Sequence, residues 1–164
     1  MSLDPQYFAE LYATHEDPWA FRTRWYEKRK RELVMASLPR QCYQRVFEPA
    51  SAKGELSALL AERCAELLCQ DLDPTAVGLA RERLAHVHNA LVERARLPGD
   101  WPGGRFDLIV LSELCYYLDA DDLRHLIDRA LNSLTANGQV LACHWRPTID
   151  GCPQTAEQVH ALLH

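Results

Sequence analysis

The sequence predicts a doubly wound, mostly parallel α/β sheet, on three observations. From residue 43 onward, short apolar runs alternate with helical stretches, which is the pattern of crossover units on a parallel sheet. One run, Phe106 to Leu111, is apolar almost throughout, as a strand covered on both faces requires. Small or polar residues follow each run at once, so the chain leaves every strand through a turn of the same kind.

Residues 1–40 differ in composition from the rest and form a helical lid segment ahead of a domain at 41–164. They hold Tyr7, Phe8, Tyr12, Trp19, Phe21, Trp25 and Tyr26 beside Arg22, Arg24, Lys28, Arg29, Lys30 and Arg31. One or two helices are expected, interrupted at Asp17-Pro18 and stopped at Leu38-Pro39, because proline cannot extend a helix. The basic series reads either as a solvated helix face or as a cover over a site for an anionic ligand.

Tyr43 to Glu48 is the first expected strand. Leu56, Leu59, Leu60, Cys64 and Leu67 recur at helical spacing over 55–67. A second strand is expected at Leu67 to Asp71. Asp73 and Pro74 then read as an N-cap and first helical residue, with Val77, Ala80, Leu84 and Val87 along that helix. Strands follow at 90–93 and 106–111, then a helix at 120–134 with Asp121 and Asp122 in its first turn, where the helix dipole favours acid. Asn137-Gly138 reads as a turn, 140–145 as a fifth strand and 154–163 as a further helix.

With 48% hydrophobic and 25% charged residues, the chain has the balance of a globular protein of one domain. No apolar run reaches the roughly 18 residues of a membrane span. Met1 to Tyr12 carry Asp4 and Glu10 and lack the basic-then-apolar order of a secretion signal, so a soluble cytoplasmic protein is expected. A net charge of −5 argues against general nucleic-acid binding. The six cysteines include no C-x-x-C pair, which leaves no metal or redox motif and suggests structural thiols.

In such a sheet, ligands bind beyond the carboxyl ends of the strands, where strand order reverses. That points to Glu48 to Gly54, Asp71, Arg94 to Leu97, Leu111 to Tyr117 and His144 to Arg146. In the first crossover, glycine would let the backbone approach a nucleotide-type ligand without a Cβ in the way. Asp71 stands at the tip of the second strand, where an acid accepts hydrogen bonds from ribose hydroxyls. A Walker phosphate loop is absent from the sequence.

Phe47-Glu48-Pro49 with Gly54, Asp71-Leu72-Asp73-Pro74, Trp101-Pro102, Phe106 to Glu113 and Tyr116-Tyr117-Leu118 resemble a class I S-adenosylmethionine-dependent methyltransferase. Within that superfamily, Asp17-Pro18-Trp19, Trp25-Tyr26-Glu27 with Lys30, and His144-Trp145-Arg146 are similar to the branch typified by nodulation protein S, a sugar N-methyltransferase. The resemblance covers residues 5–164. It implies a Rossmann-like fold, S-adenosyl-L-methionine as cofactor and a small-molecule acceptor, an amine or sugar amine. It assigns Glu48, Ala50, Ala52 and Gly54 to the methionine part of the cofactor, Asp71 to its ribose, Ala95 and Arg96 to its adenine, and Ser112 to the methyl-donor side. Glu113 lies on that side too. His144, Trp145 and Arg146 would face the acceptor, with His144 and then Glu113 as bases and Tyr116 and Tyr117 as orienting hydroxyls. Trp19, Trp25 and Tyr26 would belong to the lid.

Two departures from the family pattern matter. Ala50 and Ala52 stand where it carries glycine, and the chain stops inside the helix after the fifth strand, so the last two strands of the implied sheet are missing from it. The altered loop keeps open a rival reading, a degenerate methyltransferase-like domain that binds a partner without catalysis. A nicotinamide-dependent dehydrogenase fits the sheet and Asp71 but not the first loop. Lys53 could compensate by pairing with a ligand carboxylate. Restoring glycine at 50 and 52 is expected to improve binding but to cost about 1 kcal/mol of stability by loosening the unfolded chain.

Overall fold

The computed structural model describes residues 1–164. Two helices, α1 (Pro5–Thr14) and α2 (Trp25–Ser37), precede five strands: β1 (Tyr43–Pro49), β2 (Cys64–Asp71), β3 (Ala90–Arg94), β4 (Phe106–Ser112) and β5 (Leu134–Cys143). Between and after them come α3 (Glu55–Ala61), α4 (Pro74–Arg83), α5 (Ala120–Asn132) and α6 (Ala156–Leu163), with a 3-10 turn at Cys115–Tyr117. All strand pairs are parallel, in the order β3-β2-β1-β4-β5. This is the doubly wound sheet expected from the sequence. No helix is long and apolar enough to cross a membrane.

The period of two along each strand divides the core between the two faces. Val46, Leu67, Cys69, Leu108 and Val110 pack with Val34 of α2 and Leu38 just after it, Leu60 of α3, and Val77 and Ala80 of α4. Phe47, Leu68, Ile109 and Leu111 face the other way, against Leu123 and Leu126 of α5 and Val159 of α6. Capping side chains set the helix starts. Asp73 accepts from Thr75 and Ala76 N–H at 2.7 and 3.1 Å, and Asp119 from Asp121 and Asp122 at 3.0 and 2.9 Å.

Some boundaries differ from the sequence expectation. Helical spacing carries through Cys64 and Leu67, yet α3 ends at Ala61 and both residues lie in β2, with Tyr43 opposite Cys64. Arg63 fixes this corner by donating to the carbonyls of Gln41 and Met35 at 2.9 and 3.0 Å, so main-chain pairing overrides local periodicity. Leu134 begins β5 instead of ending α5. Asn137-Gly138 lies inside β5, where the register with β4 shifts between Phe106↔Leu134 and Leu108↔Gln139. A Cβ at Gly138 would stand 2.9 Å from the Phe106 carbonyl oxygen, so the irregular pairing needs glycine.

The turn from β1 to α3 winds through the left-handed region three times, at Ala50 (φ 55°), Ala52 (φ 46°) and Gly54 (φ 81°). These are the three positions where the resemblance leads one to expect glycine. The loop is nevertheless pinned: Ser51 N–H donates to the Gln70 carbonyl at 3.0 Å and Ala52 N–H to Asp71 Oδ2 at 2.9 Å. Alanine therefore pays conformational strain in the folded state, which reverses the expected sign of the glycine substitutions. Ala50→Gly with Ala52→Gly should raise stability by about 1–2 kcal/mol, strain relief exceeding the added unfolded-state entropy. Urea denaturation of the ligand-free proteins checks this, and an unchanged or lower midpoint would contradict it.

Candidate functional site

Strand order reverses at β1, whose outgoing turn leads to β2 while β4 returns on its other side. The turns after β1 and β4 diverge there and leave a cavity of about 420 Å³, within the roughly 300–1,000 Å³ of small-molecule sites. α1, α2 and the segment between them close it from above. Glu48, Ala50, Ala52, Asp71, Ala95, Arg96, Ser112, Glu113, Tyr116, Tyr117, Trp145, Trp19 and Tyr26 all line it.

Two carboxyl groups occupy its floor. Glu48 at the end of β1 is buried and pushed up to about 7 by that burial, although the Ser57 hydroxyl donates to it at 2.5 Å. Burial likewise raises Asp71 to about 6, against the opposing effect of the Asp73 and Ala52 amides at 3.0 and 2.9 Å. Ser51 Oγ and Gln70 Oε1, also in the cavity wall, are buried with no hydrogen-bond partner. Buried polar atoms left single are uncommon, and both belong to residues of the cavity wall.

Aromatic packing and ion pairs hold the cover. Tyr12 meets Trp19 edge-on with centroids 5.8 Å apart, and Tyr26 meets Trp145 at 4.8 Å. Arg22 reaches Glu55 at 2.5 Å, and Lys53, 5% exposed, reaches Asp17 at 3.4 Å. Lys53 thus ties the cover to the loop and also lines the cavity. Trp25 is a further correction. One position from Tyr26, and so about 100° around the helix, it is 73% exposed and lies beneath Arg29 at 5.6 Å. Sequence reasoning named Arg31 only within the basic series; it is a half-buried cavity residue whose side chain donates to the Phe21 carbonyl at 2.7 Å and has no carboxylate partner. Nothing in the run of basic residues distinguishes it from its neighbours.

Glu113 joins three segments. Its backbone is left-handed (φ 57°), an unfavourable conformation for this residue type. Oε1 meets Lys30 Nζ at 3.1 Å, while Oε2 accepts from the Tyr116 hydroxyl and from Trp145 N–H at 3.0 Å. Lys30 also forms an ion pair with Glu27 at 2.9 Å. Burial lowers the Lys30 pKa, but the two carboxylates outweigh it and the net shift is upward. Through both oxygens, Glu113 orients its neighbours.

His144, 9% exposed, does not line the cavity. Its Nε2 accepts from Cys115 N–H at 3.2 Å, which places the proton on Nδ1, 3.1 Å from His160 Nε2. Burial, then His160, lowers its pKa to about 3, so the ring is neutral and fully bonded. The expected base is instead a structural link between β5 and α6. Arg146 also points away, its side chain 86% exposed beside Glu157. Gly54 lies buried behind the loop at the start of α3, with a would-be Cβ 3.3 Å from Ala80, and does not line the cavity.

Known proteins share this arrangement. A candidate methyltransferase from Pseudomonas syringae is 58% identical over 85% of each chain, with a TM-score of 0.76. The N-methyltransferase NodS from Bradyrhizobium japonicum WM9, solved with S-adenosyl-L-homocysteine, is 25% identical over 84% of this chain and 70% of its own, with a TM-score of 0.78. Nodulation protein S from Rhizobium tropici is 28% identical over 77% of this chain and 54% of its own length, so the chain spans about half of that relative. The family described as Nodulation protein S (NodS) matches residues 8–161, and the chain belongs to that family.

Proposed function

We propose that the chain transfers a methyl group from S-adenosyl-L-methionine to the nitrogen of a small-molecule amine. The observation that carries this reading is the cavity at the strand reversal, with the Asp71 carboxylate at the tip of β2 beside the left-handed 50–54 turn. The likeness to an N-methyltransferase solved with S-adenosyl-L-homocysteine supports it.

The residues present fit such a cofactor. Asp71 has lone pairs beyond those used by Ala52 and Asp73, suited to ribose hydroxyls. Ser51 Oγ and Gln70 Oε1 lack partners that polar ligand groups would supply. Arg31, a half-buried cation without an acid, suits the methionine carboxylate, and Ala95 and Arg96 flank the adenine end. The loop that motivated the non-catalytic reading keeps the left-handed path despite its alanines.

The cofactor's sulfonium supplies an already activated methyl group, which leaves the protein to position the acceptor and exclude water. The Tyr116 hydroxyl donates a hydrogen bond to Glu113, so its oxygen is free to accept from an amine N–H. Tyr26, Tyr117 and Trp145 complete an aromatic wall that admits a neutral amine and keeps water out. No imidazole lines the cavity, and the amine nitrogen attacks as the neutral form.

Several outcomes follow. Ribose hydroxyls favour the carboxylate form of Asp71, whose free-protein pKa is about 6, so S-adenosylhomocysteine affinity should rise from pH 5 to 7 and level off above that. Calorimetry across this range checks it, and Asp71→Asn should flatten the profile while losing about 1.5–3 kcal/mol of binding. Equal affinity at pH 5 and 7 with the variant unimpaired would remove Asp71 from the site. His144→Phe should cost about 1–3 kcal/mol of folding stability by leaving the Cys115 amide unpaired, with S-adenosylhomocysteine affinity retained. If it instead abolished transfer in a fully stable protein, His144 would regain its role as base. Activity is tested by S-adenosylhomocysteine formation with amino sugars and with their hydroxyl counterparts; turnover on the hydroxyl set alone would overturn the amine reading.

A further inference from the structure

We infer that Lys30 is a positioning residue that makes closure of the helical cover and assembly of the acceptor wall a single event; the inference rests on the proposed function for the meaning of that wall. Glu27 comes from α2 and Glu113 from the end of β4, and their carboxylates converge on one ammonium at 2.9 and 3.1 Å. The three side chains are nearly withdrawn from water, at 7% exposed for Glu27, 10% for Lys30 and 20% for Glu113. Such burial strengthens the attraction and equally the repulsion that would replace it. Without Lys30, α2 would present a carboxylate to a carboxylate across the seam.

The second oxygen of Glu113 extends the effect. It accepts from the Tyr116 hydroxyl and the Trp145 amide, the two groups that shape the acceptor side. Trp145 in turn packs edge-on against Tyr26 of α2, so the aromatic contact and the ion triad cross the same seam. Glu113 also holds an unfavourable left-handed backbone, which persists only where surrounding contacts over-determine it. Opening α2 removes Lys30 and Tyr26 together. The strained Glu113 then loses its cation, and Tyr116 and Trp145 lose the carboxylate geometry that aligns them. An acceptor therefore meets a formed wall only after the cover has closed.

Hydrogen–deuterium exchange on the ligand-free full chain tests this without assuming any ligand. Lys30→Met should speed exchange together in α2, in 113–117 and in 144–146, while β1, β2 and α4 keep wild-type protection. Adding Glu27→Gln to Lys30→Met should restore most of that protection, because the uncompensated charge and not the lost packing is the damage. Lys30→Arg should behave as wild type. S-adenosylhomocysteine affinity should fall about tenfold or more in Lys30→Met and recover in the double variant, since apparent affinity scales with the closed fraction. Faster exchange confined to α2, or damage that Glu27→Gln does not relieve, would overturn the coupling. If Lys30→Met does not fold, the double variant decides: folded with protected 113–117 and 144–146 it upholds the charge argument, and unfolded it refutes it. Failure of wild-type protein to bind S-adenosylhomocysteine would count against the methyltransferase reading alone, with the exchange pattern still deciding the role of Lys30.

Discussion

Everything at this site depends on a reversal of direction in the sheet. The chain begins in the middle with β1, moves outward to β2 and β3, and then crosses back to lay β4 on the opposite side of β1. A parallel sheet sends every outgoing turn to one edge, and a reversal forces two neighbouring turns apart. Glu48, Asp71 and Glu113 all occur at that edge because each lies within one residue of a strand's carboxyl end. Their side chains are held by main-chain register and by apolar packing on both faces, including the fully buried Val46, Phe47, Leu108 and Ile109.

The roof is built on different physics. Between them, α1 and α2 contribute only Tyr12, Val34 and Glu27 to the buried set, with Leu38 just beyond α2. What fastens the roof is a row of charge contacts, Asp17 with Lys53, Arg22 with Glu55, and Lys30 with Glu113, together with edge-on aromatic pairs. The enclosed contacts at Lys53 and Lys30 resist screening by salt, whereas Arg22, 55% exposed, is open to it. A floor held by core packing and a roof held by polar contacts suit a site that must open to load and close to exclude water.

Sheet architecture was legible in the sequence because it rests on periodicity. The continuous apolar run of β4, buried on both faces, and the Asp73-Pro74 start of α4 are local signals that the tertiary structure has no reason to override. Glu48 and Asp71 were legible for the same reason, since the end of a strand places its next polar residue at the ligand edge. Direction around a helix was not. Trp25 and Tyr26 are equivalent in composition, yet only one turns inward, and nothing in the basic run marks Arg24, Lys30 and Arg31 as the three that line the cavity. His144 occupies the anticipated strand end, but its partner His160 comes from a helix 16 residues later, and that pairing is invisible without the fold. The helix expected through Leu67 failed because Arg63 draws its neighbouring carbonyls into a corner that no periodicity encodes.

A crystal structure with S-adenosylhomocysteine tests the central claim most directly. The account predicts the ribose hydroxyls on the Asp71 carboxylate, new partners for Ser51 Oγ and Gln70 Oε1, and the ligand carboxylate at Arg31, with Lys30 still bridging Glu27 and Glu113. A ligand bound elsewhere, with Asp71 holding only the Ala52 and Asp73 amides, would contradict it.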